Sequence, residues 1–309
     1  MNSAQDARIL RLSYVQLVLY VVTWLAGIYV NGFVPSPSDN GGSVVAFFLS
    51  PAVITHFLLA ALTAAVGIML LASGWIFQLK RFTILTGLSL VSIAIAGTGG
   101  LSFVFGIGDS NLDSMLMATS FITAVYLSFL AILNLKKTRF PERISRFTKN
   151  LSVATLALFY LVFVSGIYLN LYVASSVFSE PPVIEQKMLG QMVTSPTALF
   201  HETSGTLLLL LMIFFTIGLF RSLPKKLVLR GLFATLFVLY SLLVGAFENI
   251  EPVLVPASSS IQSVQSDLSY VFSSEVIPLL SAVGFLAALV ILMSVVHEMR
   301  TQVPVTVKQ

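Results

Sequence analysis

The chain has 309 residues, 57% of them hydrophobic and 10% charged, with a mean hydropathy of +0.95 and a formal net charge of +4. Soluble domains carry charge on about a quarter of their residues, so this composition excludes an ordinary soluble enzyme and implies an integral, multi-pass protein of the cell membrane. Cysteine is absent, which excludes disulfides, thiolate metal sites and cysteine nucleophiles.

In chain order, apolar runs fall at about 12–32, 51–75, 83–106, 115–135, 151–173, 196–220, 227–247 and 275–297. Each is close to the ~20 residues a helix needs to cross the hydrocarbon, so eight membrane-spanning helices are predicted. Arg8 and Arg11 precede the first run, Lys80 and Arg81 follow the second, and Lys136, Lys137, Arg139, Arg143, Arg146 and Lys149 fill the segment between the fourth and fifth. Arg221, Lys225, Lys226 and Arg230 follow the sixth, with Arg300 and Lys308 at the end. Sixteen of the 17 basic residues thus lie on one side, Lys187 being the exception. Short cytoplasmic loops carry the Lys and Arg excess, so both termini are expected in the cytoplasm. The first run is longer than a signal-peptide core and is expected to be retained.

Two motifs occur twice, in the same order. Gly27-Ile28-Tyr29-Val30-Asn31 returns as Gly166-Ile167-Tyr168-Leu169-Asn170, 139 residues on, and Ser50-Pro51-Ala52-Val53-Ile54-Thr55-His56 returns as Ser195-Pro196-Thr197-Ala198-Leu199-Phe200-His201, 145 residues on. Repetition at a fixed period marks a duplicated unit. With four spans per unit the halves keep one orientation, so the expected fold is all-α: two parallel four-helix repeats related by a pseudo-twofold axis along the membrane normal. The first repeat covers 1–135, a basic linker 136–149, and the second repeat 150–309.

Of only three histidines, two occupy the repeated position. Serine is a favoured N-cap and proline a favoured first helical residue, so Ser50-Pro51 and Ser195-Pro196 predict helix starts at the outer boundary. Five residues on, at 1.5 Å per residue, His56 and His201 lie roughly 7–8 Å down their helices, at matching depth. Small residues one turn away, Ala52 and Ala60 or Thr197 and Gly205, leave room for a flat ring. A neutral imidazole is a standard axial ligand of haem iron, whereas a shallow histidine also serves as a plain interfacial polar residue. Glu202 follows His201 and adds an ionisable group inside a span, which is a functional hypothesis in its own right. Tyr29, Asn31, Tyr168 and Asn170 end the first and fifth spans at the histidines' level, in reach of a cofactor edge. Ser120, Ala124 and Ser128, and again Ser281, Gly284 and Ala288, form small-residue stripes suited to helix contacts. His297-Glu298 lies at the cytoplasmic end of the last span, across the membrane from the other two histidines.

Two four-helix units, each with a histidine at the outer start of its second helix, resemble haem A synthase over nearly the whole chain. The chain departs from that family's pattern in lacking a histidine on the fourth helix of each unit and the family's outer-loop cysteine pair, and in placing Val53 three residues before His56. In size, hydropathy and absence of cysteine the chain also resembles the polytopic subunit of the archaeal b-type cytochrome 558/566 respiratory complex. That resemblance implies electron transfer at the outer membrane face, more an electron-transport role than an enzymatic one. His56 and His201 would ligate one haem b or line a quinone pocket, and the acidic outer loops would dock a cytochrome or other redox subunit. The alternatives are a haem A synthase-like enzyme acting on haem or an isoprenoid lipid through His201 and Glu202, and a membrane scaffold without cofactor. The bilayer is the one partner common to all three, and none involves nucleic acid.

Overall fold

The computed structural model describes residues 3–34, 43–107, 110–135, 144–169, 195–254 and 276–301. Among them the secondary structure is helical throughout: α1 (Ser3–Phe33), α2 (Val44–Phe48), α3 (Pro51–Ile76), α4 (Lys80–Phe105), α5 (Ser110–Leu135), α6 (Arg146–Tyr168), α7 (Pro196–Ser222), α8 (Lys225–Leu254) and α9 (Val276–Thr301). All but the short α2 are long and apolar enough to cross a bilayer, and they coincide with the eight predicted runs. Their exposed faces are themselves apolar, with Leu58, Leu62 and Ile68 on α3, Val91 on α4 and Leu210, Phe214 and Ile217 on α7. Such surfaces would drive aggregation in water and are what lipid requires, so the chain is a multi-pass membrane protein.

The chain divides into two compact units, Met1–Thr138 and Arg139–Gln309. In the first, α3 packs on α1 and α4, α5 packs on α4, and α5 closes back on α1. The second has the same neighbour order, with α7 between α6 and α8, α9 on α8, and α9 closing on α6. Both units therefore close a ring of four consecutive helices.

Several helices differ in extent from the predicted runs because polar residues join them. The fifth span starts at Arg146, inside the segment expected to be linker, because Ser145 caps it: its hydroxyl accepts from Thr148 N at 3.0 Å. The helix of the seventh span, α8, runs on through Glu248, Asn249 and Glu251 to Leu254, past the predicted end at 247. α2 lies in what reads as an outer loop; Ser43 caps it, Phe47 is buried, and the Phe48 ring sits 5.7 Å from Phe57 and 6.1 Å from Phe105. Its apolar contacts, not its length, hold it helical. The small-residue stripes do make helix contacts. Ser89 on α4 donates to Ala124 O and lies 2.9 Å from the Ser128 hydroxyl, while Ser241 on α8 and Ser281 on α9 exchange hydroxyl-to-carbonyl bonds of 3.0 and 3.2 Å.

Candidate functional site

Proline opens both histidine-bearing helices as expected, but the caps differ. Ser195 accepts from Ala198 N at 3.1 Å, whereas the Ser50 side chain makes no cap bond; there the chain comes straight off α2, with Ser50 N donating to Phe47 O. One and a half turns later each imidazole turns towards the first helix of its own unit, onto the glycine that opens the other repeated motif. A Cβ on Gly27 would lie 3.0 Å from His56 Cε1, and one on Gly166 would lie 2.8 Å from His201 Cε1. The two motifs are two halves of one contact. Of the small neighbours on the histidines' own helices, Gly205 packs against Leu242 of α8 and not against the imidazole.

Polar partners then fix the rings. His56 Nδ1 lies 3.1 Å from the carbonyl of Thr23, one turn before Gly27. A carbonyl only accepts, so Nδ1 carries the proton and Nε2 keeps its lone pair. His201 Nδ1 lies 2.9 Å from the Ser165 hydroxyl, which donates to Val162 O at 3.1 Å. With its single proton engaged there, Ser165 accepts from His201, and the same tautomer results. Thr23 and Val162 are themselves 139 residues apart, so both units direct Nδ1 towards the corresponding carbonyl, with Ser165 interposed in the second. Metal-bound histidines are typically held in this way, the far ring nitrogen donating to a carbonyl or similar acceptor while the near one faces the metal.

The remaining predicted residues are less closely engaged. Tyr29 and Tyr168 are exposed, and so is Glu202, which stays on the outer face of α7 while His201 turns inward towards α6. The side chain of Asn31 and the whole of Asn170 lie outside the described residues. Near His56 the rings of Phe47, Phe48, Phe57 and Phe105 form an aromatic wall, with Phe57 6.1 Å from the imidazole. At the other end of the second unit, Glu298 pairs with Arg230 at 2.6 Å, which joins α9 to α8 beside the buried His297. Among the described residues no group of three or more His, Asp or Glu gathers.

Thr23, Ser165 and the two glycines are the residues that sequence reasoning did not assign to the site. The signal was present for the glycines, because each heads a repeated motif. Compared with known proteins, the chain matches no family model and no curated sequence.

Proposed function

We propose that the chain is the polytopic subunit of a respiratory b-type cytochrome complex and that His56 and His201 are haem ligands through Nε2. The observation that carries this reading is the paired fixation of Nδ1, which leaves the Nε2 lone pair of each histidine without a partner among the described residues. A haem held there would pass single electrons between its ferric and ferrous states. The protein's part is to seat each ring against a glycine, fix its tautomer, and place it near one membrane face. The same reading takes the units as a parallel duplication with both termini in the cytoplasm; their shared helix order, shared histidine–glycine contact and segregated basic residues support it. The histidines then sit at the outer face, where a cytochrome domain would dock on the acidic loops.

The aromatic wall at His56 favours a second reading, a quinol whose hydroxyl donates to Nε2. A haem-modifying enzyme would need His201 and Glu202 to act together, and the turn of about 100° between them, which leaves Glu202 exposed, favours ligation instead.

Reduced-minus-oxidised spectra of the purified chain, with pyridine haemochrome to count haems, decide between these readings. A b-type spectrum is expected. One shared haem predicts that His56→Ala or His201→Ala alone removes all of it, and two separate haems predict that each removes about half. A colourless chain, or a spectrum that survives both substitutions, rejects ligation.

A further inference from the structure

The interior of the first unit is lined with hydrogen-bonding side chains that the histidine site does not use. Among α1, α3, α4 and α5 lies a small, partly open pocket of about 10 Å³, lined by Ser13, Gln16, Tyr20, Leu70, Thr86 and Ser128 among others. That is on the order of the least space that holds one water. Gln16 is 2% exposed; its Nε2 donates to Thr63 O at 3.0 Å, and its Oε1 is buried without a partner. The amide cannot be reversed to relieve this, because Oε1 would then face the Thr63 carbonyl, acceptor against acceptor.

Four of the surrounding hydroxyls, those of Ser13, Tyr20, Ser89 and Ser128, have committed their protons. Ser13 donates to Ile9 O at 2.8 Å and Ser89 to Ala124 O at 3.0 Å. Ser89, with no proton left, accepts from Tyr20 at 2.6 Å and from Ser128 at 2.9 Å. Lone pairs of Ser13, Tyr20, Ser128 and Gln16 therefore remain around the cavity, an excess of acceptors. A buried polar group left unmatched costs about 1–3 kcal/mol, so the site calls for a small neutral donor.

The four-helix ring does not itself need these groups. At the offsets set by the two motifs, Tyr20 corresponds to Phe159, which is fully buried against Phe285 at 4.8 Å. Thr63 corresponds to Leu208 and Ser89 to Ala234, both buried and apolar. Gln16 corresponds to Thr155, whose hydroxyl is satisfied within its own helix by Leu151 O at 2.7 Å.

We propose that the first unit binds one ordered water in this cavity, donating its two protons to Gln16 Oε1 and to Ser128 Oγ. The water joins Gln16 through Ser128 and Ser89 to Tyr20 in one unbroken hydrogen-bonded chain. This holds whether or not His56 binds a cofactor. The test uses the full chain in lipid nanodiscs. A high-resolution map is expected to show a peak about 3 Å from both Gln16 Oε1 and Ser128 Oγ. Thermal melts of Gln16→Met, Ser128→Ala and the double variant are expected to be sub-additive, because either change alone already releases the water. A cavity empty of density, or shifts that simply add, overturns the proposal.

Discussion

Adding one methyl group to Gly166 tests whether His201 is clamped. The new Cβ would stand 2.8 Å from Cε1, 3.4 Å from Nδ1 and 3.5 Å from Nε2, while ordinary contact begins at 3.4 Å. The ring must therefore retreat by about 0.6 Å, a typical overpacking strain of about 1–3 kcal/mol. A retreat of that size stretches the 2.9 Å bond to Ser165 to about the limit of a hydrogen bond, removing roughly 1 kcal/mol more. Alanine is the better helix former by about 1 kcal/mol, so Gly166→Ala should lose a net 1–3 kcal/mol. Gly27→Ala, with its Cβ at 3.0 Å from His56 Cε1, should lose less. Gly97→Ala is the control, since nothing lies within 4 Å of its added Cβ, and it should be neutral or slightly stabilising. Thermal melts of the three variants, recorded with absorbance spectra, make the comparison. If Gly166→Ala melts like Gly97→Ala and keeps the wild-type spectrum, the clamp is refuted.

Glu298→Gln should lower stability by only about 0.5–1 kcal/mol despite the 2.6 Å contact to Arg230, because both side chains are about a third exposed and solvent screens the pair. Added salt should shrink the difference between variant and wild type, and a salt-independent loss would point to packing instead. In the proposed orientation, single cysteines at Asp39, Glu185 and Asp267 should react with an impermeant thiol reagent from outside, and those at Lys80, Arg143 and Lys225 should not. One loop labelling from the wrong side would overturn that orientation. Loss of haem absorbance in each single histidine variant, whole or by about half as set out above, completes the set.

The parts of the fold that composition alone controls are the ones the sequence shows. Eight apolar helices need only length and hydropathy, and both proline starts are local. The histidine site is different, because its contacts join residues 29 to 36 positions apart on separate helices. Periodicity within one helix says which residues share a face, not which face another helix will meet, so Ala52 and Gly205 looked like the room-makers and Gly27 and Gly166 did not. Ser165 was hidden for the same reason, and unit one has Ala26 at the matching place, so no repetition drew the eye to it. Glu202 illustrates the converse. Adjacency in sequence placed it beside His201, but successive helical residues point about 100° apart, and only the histidine faces α6.

The two units share a device and differ in what surrounds it. Each lays a histidine on a glycine and engages its Nδ1 from the first helix, yet where the first unit links Gln16, Tyr20, Thr63 and Ser89 the second has Thr155, Phe159, Leu208 and Ala234, its own buried hydroxyls lying elsewhere, at Thr235 and Ser241 among others. If the Gln16–Thr63 and Tyr20–Ser89 network were needed to set the imidazole, the second unit, which has no counterpart of it at those positions, could not hold His201 as it does, through Ser165 and Val162. The polar interior is therefore separable from the histidine contact. The two can be disturbed independently: changes at Gln16 or Ser128 should leave the imidazoles in place, and changes at Gly27 should leave the buried chain intact. Thr23 is the single point where they touch, its carbonyl facing His56 and its hydroxyl 2.9 Å from Thr63, whose own carbonyl holds Gln16. Thr23→Val keeps the carbonyl and removes the hydroxyl, so it should disturb the buried network and leave the His56 tautomer unchanged.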